Sequence, residues 1–335
     1  MDGRTAAERT RARRIALYWL LFAAAVVTGA AVLLVRERAF LRPEAPSVEP
    51  LALVPPGPTL LLTVDVARLR ADPQAAQVFG RELGRFDAGA GRAAWSECVP
   101  KLSGDIARVA VAVTNASSFA AIAVGRFTKA AALACARASV GNGAALRTTI
   151  GSFETVRDPQ KSGELAARDG LLVVSDGDYL RAVLDRAEGQ RDAAAAPNDR
   201  DRLHAELRRT VGQGAPIVLS VVLARGWLGG LLGDPEAERS PFAVVRTAAL
   251  RANVTSGPDA NRTSALDVNG SVACENEADA ARLERFLTTL RADLGAEHAD
   301  GALALLSALT LVRHGAALDF SGRVALSDAV KLLPP

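Results

Sequence analysis

The sequence predicts an α+β protein: a single N-terminal transmembrane helix, then antiparallel sheets covered by helices and built as two similar halves. Three observations carry this. Residues Ile15 to Val35 run 21 residues without a charge. Beyond about residue 58, stretches that alternate apolar and polar residues, the period of a strand, are interspersed with stretches whose apolar residues recur every three or four positions, the period of an amphipathic helix. Finally, "GPTLLLTVDVARLRADP" (57–73) is echoed from 214 by "GAPIVLSVVLARGWLGGLLGDP".

The uncharged run comes first. At ~1.5 Å per residue it makes a helix about 31 Å long, matching a hydrocarbon core of roughly 30 Å. Tyr18 and Trp19 sit near one end, where amphipathic rings favour the interface. Arg4, Arg9, Arg11, Arg13 and Arg14 precede it, while Arg36 and Arg38 follow with Glu37 between them. The stronger basic flank is N-terminal, so residues 1–14 form a cytoplasmic tail, 15–35 an uncleaved signal anchor, and the chain from about 39 is exported. Gly29, Ala30 and Ala31 are small enough for a signal peptidase, but the run continues through Val32–Val35 and exceeds the ~7–15 residues of a signal-peptide core.

Composition bounds the rest. The chain has 335 residues, 49% apolar, which excludes disorder. Residues 1–38 hold seven Arg against Asp2, Glu8 and Glu37, a net of +4 in a chain whose total is +3, leaving −1 for the exported part. That removes the electrostatic footprint of a nucleic-acid partner. Lys occurs only at 101, 129, 161 and 331 while Arg and Ala abound, the composition of a GC-rich bacterial genome. The exported side is then periplasm, and the site of residence the inner membrane.

A Pro-rich linker at 36–57 leads to the first unit, 58–188. Leu60, Leu62, Val64 and Val66 alternate with Leu61, Thr63 and Asp65 as a strand. A helix is expected at about 73–86 through Val78, Phe79, Leu83 and Phe86. "DIARVAVAVT" and "SFAAIAVGRF" read as a hairpin across Asn115–Ser117. A helix over 128–139 starts at Thr128, short strands follow at 144–157 and 164–168, and "GLLVVS" is another strand. "SDGDYLRAVLDRAEG" is a helix with Ser175 and Asp178 at capping-box spacing and a buried stripe of Tyr179, Leu180, Val183, Leu184 and Ala187. Residues 189–200 read as a connecting loop.

In the second unit, 201–335, Leu266, Val268 and Val272 face one side of a strand and Asp267, Asn269 and Ser271 the other. A helix runs through Leu283, Phe286, Leu287, Leu290 and Leu294. "AALDFSGRVAL" alternates again, and "LSDAVKLLPP" closes the chain as a short helix. Strands with one polar face suit a sheet with one wet face.

"LVPPGPTLLLTVDVARLRADP", a Cys, and the hairpin "DIARVAVAV…FAAIAVGRF" resemble a group of uncharacterised membrane-anchored envelope proteins from GC-rich bacteria. The resemblance covers about 51–188. It implies location and an α+β ectodomain, and no site to carry over.

His204, His298 and His314 form no metal-ligand motif; His298, beside Glu297 and Asp300, fits an exposed loop, and His204 a surface helix position. There is no nucleophile elbow and no phosphate loop. "GAGRAA" (89–94) follows a helix rather than a strand, so it lacks the context of a dinucleotide fingerprint. "SDGD" (175–178) fits a helix cap better than a calcium loop. Asn115, Asn253, Asn261 and Asn269 begin N-x-S/T triplets and read as turn and strand residues. No catalytic, cofactor or metal residue emerges. Trp227, in "RGWLGGLLG", is the candidate for an apolar contact. Of the three cysteines, Cys98 and Cys135 flank the same hairpin and are expected to form a disulfide worth roughly 4 kcal/mol by loop closure, with Cys274 a reduced, buried residue.

The sequence thus points to a non-catalytic, membrane-anchored envelope protein that binds a protein partner or senses something. A periplasmic carrier of a lipid or other apolar ligand is the alternative, requiring a continuous cleft between sheet and helices. An enzyme with an unrecognised site is the third.

Overall fold

The computed structural model describes residues 48–72, 75, 104–115, 118–140, 145–157, 163–189, 198–227, 239–255, 264–295 and 308–326. The expected anchor at 15–35 and most of the linker lie outside the described residues. So do the helix expected at 73–86, apart from buried Ala75, and the closing helix after Leu326. Among the described residues no helix is long and apolar enough to cross a membrane. The protein is α+β, with extensive antiparallel sheet and few helices. The chain divides into two compact units at Glu206 and Leu207, a few residues past the expected start at 201.

In the first unit the strands are β1 (Leu60–Asp65), β2 (Ile106–Asn115), β3 (Ser118–Gly125), β4 (Leu146–Ile150), β5 (Phe153–Arg157), β6 (Gly163–Arg168) and β7 (Leu171–Asp176). They lie side by side as β1-β2-β3-β7-β6-β5-β4, and every neighbouring pair is antiparallel. The helices are α1 (Val66–Ala71), α2 (Lys129–Val140) and α3 (Gly177–Ala187). Helix α4 (Asp199–Val211) carries the boundary between the units. The hairpin across 115–118 forms as expected, Asn115 opposite Ser118. Thr128 caps α2, its hydroxyl accepting from the Ala131 amide at 3.2 Å.

The stripe on α3 packs on one sheet face. Leu180, Val183 and Leu184 meet Ile122, Val173, Ala166 and Phe153, with Tyr179 and Ala187 partly buried at the margin. Helix α2 packs on β5 and β6 over the opposite face, where Glu154 of β5 pairs with Lys129. The expected wet face is therefore corrected here. Leu60, Leu62, Val64, Val109, Ala123, Leu172 and Ala167 are buried on that second face too, because helices cover the sheet from both sides.

Three further expectations are corrected. The linker does not stay extended to residue 57. Pro50–Leu53 form a 3-10 turn, and Leu53 and Val54 join the core under α3 with Val48 and Leu51; their apolar side chains outweigh the extended preference of the prolines around them. Ser175 does not cap α3. It is a buried strand residue whose hydroxyl donates to the Phe119 carbonyl at 2.6 Å, and Asp176 occupies the cap position. The strand written through Val66 ends one residue earlier, because the Asp65 carboxylate accepts from the Arg68 amide at 2.9 Å and starts α1.

The second unit contains β8 (Ile217–Val222), β9 (Val245–Thr255), β10 (Ala265–Cys274), α5 (Glu277–Gly295), β11 (Leu309–His314) and β12 (Ala317–Ala325). Its strands lie as β8-β9-β10-β12-β11, all antiparallel. Strands β9 and β11 were not anticipated from the sequence. Helix α5 buries Ala280 and Leu283 against Leu318, Cys274 and Val245, with Val272, Leu287, Leu311 and Phe242 at the edge. Phe242 meets Phe286 edge-on, ring centres 5.5 Å apart. Gly270 is required where β10 passes β9 and β12: a Cβ there would lie 2.2 Å from the Phe320 ring and 2.4 Å from the Ala249 carbonyl oxygen.

Candidate functional site

Trp227 lies half-buried in the turn after β8, its amide donating to the Ala224 carbonyl at 3.4 Å. Beside it in sequence, Arg225 pairs with Glu275, and Arg246 holds the same carboxylate at 2.7 Å. Cys135 is buried on α2 and is disulfide-bonded. Cys98, the cysteine expected to pair with it, lies outside the described residues, as does His298. Cys274 is free and buried at the end of β10, and burial raises its thiol pKa, which suppresses the reactive thiolate.

His204 is corrected: it is not on the surface. Only 2% of it is exposed, and its Nε2 meets the Pro58 carbonyl oxygen at 2.9 Å, so Nε2 carries the proton in that bond. It belongs to a clamp that sequence reading missed. Asp201 accepts from the Gly57 amide at 2.7 Å and from the Asn198 amide at 3.1 Å. Asn198 returns the bond to the Asp201 amide at 2.9 Å, and Arg200 donates to the Gly57 carbonyl at 3.0 Å. The first turn of α4 thereby satisfies its own orphan amides and reads three backbone groups of Gly57–Pro58. Gly57 sits at φ +81, with the Asn198 amide nitrogen 3.0 Å from where a Cβ would be. The available signal was "NDRDRLH": an Asn three residues before an Asp, opening a helix.

The second missed feature is the polar face of the second sheet, opposite α5. Register places Arg251, Asn269 and Ser321 in one row, and Asn253, Asp267 and Arg323 in the next. Arg323 reaches Asp267 at 3.5 Å and donates to the Thr255 hydroxyl at 2.9 Å. This half does have the wet face expected of Asp267, Asn269 and Ser271. Such a surface suits reversible polar contact. Among the described residues no group of His, Cys, Asp and Glu is placed to hold a metal ion. Among the described residues, the Tyr179 hydroxyl and Arg251 Nε are buried without a hydrogen-bond partner. Burial raises the Tyr179 pKa, so its phenol stays neutral.

No family model matches the chain, and no curated protein matches it. Among solved structures it is similar to one described as "Structure of crystal form I of TP0453", with 13% identity and a TM-score of 0.48 over 85% of this chain and 96% of that one. At that score the likeness carries no argument for this chain.

Proposed function

We propose that the chain is a single-pass envelope protein of a bacterial inner membrane, N-terminus in the cytoplasm, whose exported units bind or sense a partner and catalyse no reaction. The observation that carries this reading is the uncharged run Ile15–Val35, with five Arg before it, joined to units that have cores of their own. A lipid carrier would need a gap between sheet and α3, and Ile122, Phe153, Val173, Leu180 and Leu184 fill that space.

The two units are read as copies of one design. Apart from α1 after β1 and the 3-10 turn Pro241–Val244 before β9, both follow three strands, a helix, and then a hairpin whose second strand pairs with the third. β1 and β8 each span six residues, and the sequence echo sets Leu60 on Ile217 and Thr63 on Ser220. Hairpin β4–β5 is then an insertion in the first copy. The exported compartment supports a Cys98–Cys135 disulfide.

Reporter fusions after Pro335 test the placement. A reporter active only in the periplasm should work there. Activity of a cytoplasm-only reporter at the same site overturns the orientation.

A further inference from the structure

The inserted hairpin β4–β5 ends its sheet, and β4 is the outermost strand. Its turn is the two residues Gly151 and Ser152, with Gly151 at φ +57, so the closing pair Ile150–Phe153 is hydrogen-bonded. In an antiparallel pair the bonding alternates, so Thr148–Thr155 and Leu146–Arg157 bond in the same way. A hydroxyl–hydroxyl bond of 2.7 Å between Thr148 and Thr155 fixes that register. The backbone N–H and C=O of Arg147 and Thr149 consequently point away from β5, and nothing among the described residues pairs with them.

The surroundings of this open edge are basic. From Lys129 to Arg157 the chain has Lys129, Arg137, Arg147 and Arg157 against Glu154 alone, a net of +3 in an exported part that nets −1. Arg147 and Thr149 share a sheet face with Val156 and Glu154, the face on which α2 presents Lys129 and Arg137. Lys129 is engaged by Glu154, and Asp169 accepts from its amide. Arg147 is exposed and makes no hydrogen bond or ion pair among the described residues. On the other face Arg157 has Glu164 opposite, and the exposed Leu146 lies beside it.

We propose that β4 docks an extended acidic segment of a partner protein as an added antiparallel strand. The unpaired Arg147 and Thr149 backbone groups supply the main-chain bonds, and Arg147, with Arg137 behind it, selects acidic side chains on the α2 face. A second copy of this chain is a poor occupant, since antiparallel self-pairing would bring two sets of Arg147, Arg137 and Lys129 together. A flat anionic membrane would use the charge and leave the backbone edge unused. The inference rests on the binding reading above and names the kind of partner.

The test uses the full chain in neutral-lipid nanodiscs and a fluorescent peptide, acetyl-VEVEVEV-amide, with VKVKVKV as control. Two variants separate the components: Arg147→Glu reverses the charge, and Thr149→Pro removes one outward N–H at an edge position where proline is tolerated. Far-UV circular dichroism and melting verify folding. Each variant should weaken the acidic peptide at least tenfold, and the lysine peptide should not bind. Anionic phosphatidylglycerol vesicles form the second arm. Three results would overturn the proposal: no peptide binding at 1 mM, binding unaffected by Thr149→Pro, or vesicle binding lost in Arg147→Glu without any peptide binding. Failure here with a correctly exported reporter sinks the strand edge alone, whereas a misplaced reporter sinks the envelope reading and leaves the edge intact.

Discussion

Replacing Leu180 by Ala discriminates a packed core from a ligand cleft. Leu180 is 2% exposed and sits on α3 among Ile122, Val173 and Phe153. Its neighbours Val183 and Leu184 are equally enclosed, and Phe153 and Val173 belong to a hydrogen-bonded sheet that cannot follow a shrinking side chain. The site collapses little, which places the cost in the upper part of the Leu→Ala range, about 4 kcal/mol. At 1.4 kcal/mol per factor of ten this is a change of about 10³-fold in an opening equilibrium. Amide exchange of residues 177–187, read by mass spectrometry where it tracks that equilibrium, should accelerate by that factor. The second unit, from Leu207, should keep its exchange pattern. The reasoning fails if α3 exchange rises less than about fivefold, or if added phospholipid restores protection in the variant. Either outcome means that the space under α3 is adjustable or ligand-filled, and the carrier reading then displaces the binding reading.

Three other outcomes are expected. Gly270→Ala should destabilise the second unit by about 1–3 kcal/mol, seen as a lower denaturant midpoint, because Phe320 and the β9 backbone cannot both yield; an unchanged midpoint would contradict the close approach. Glu188 accepts from the Ser152 amide at 2.9 Å and from its hydroxyl at 2.5 Å, and these hydrogen bonds lower its pKa. Its contribution is full above the ordinary carboxylate range and is lost as pH falls through the depressed folded value. Exchange protection at the Ser152 amide should drop on acidification and be insensitive to pH in Glu188→Gln. Cys274 should resist iodoacetamide in the native protein and react after denaturation without reductant, whereas Cys98 and Cys135 should be recovered as one linked peptide; labelling of Cys135 without reductant would refute the bridge.

The parts of the fold that were legible share a physical property: a long period that one face alone can enforce. The α3 stripe and α5 show helical spacing over three or more turns, and Val109, Val111 and Val113 recur at alternate positions on the first arm of the 106–125 hairpin, so each was readable from the chain. β9 was not, because Ala248, Ala249 and Ala252 occupy both faces and small residues erase the alternation. β11 was not, because six residues ending in Arg313 and His314 look like a loop. The clamp on Gly57 and Pro58 was invisible for another reason: its partners are 143–146 residues apart, and no periodicity reports a contact between a backbone turn and the first turn of a distant helix. The basic edge at β4 lies between these cases. Its charges were plain in the sequence, but averaging the exported part to −1 concealed them. Only the register, which sets Arg147 on the face of Lys129 and Arg137 and turns its backbone outward, makes a surface of them.

If the two units are copies, as proposed, the first unit supplies the signal that the local pattern lacked. Applied from β8 onward, the path of the first unit demands two more strands before the helix and a hairpin after it. Each demanded element is present: β9 and β10 precede α5, and β11 and β12 follow it. Among the described residues, β4 and β5 are the elements with no counterpart in the second unit. The hairpin serves the core through Phe153 of β5, with Ile150 of β4 packed against that cluster, but β4 is exposed from Leu146 to Thr149. Its exposed outer strand and uncommitted Arg147 therefore call for an explanation outside the unit itself. That is the physical reason for looking for the partner at this edge before the half-buried Trp227.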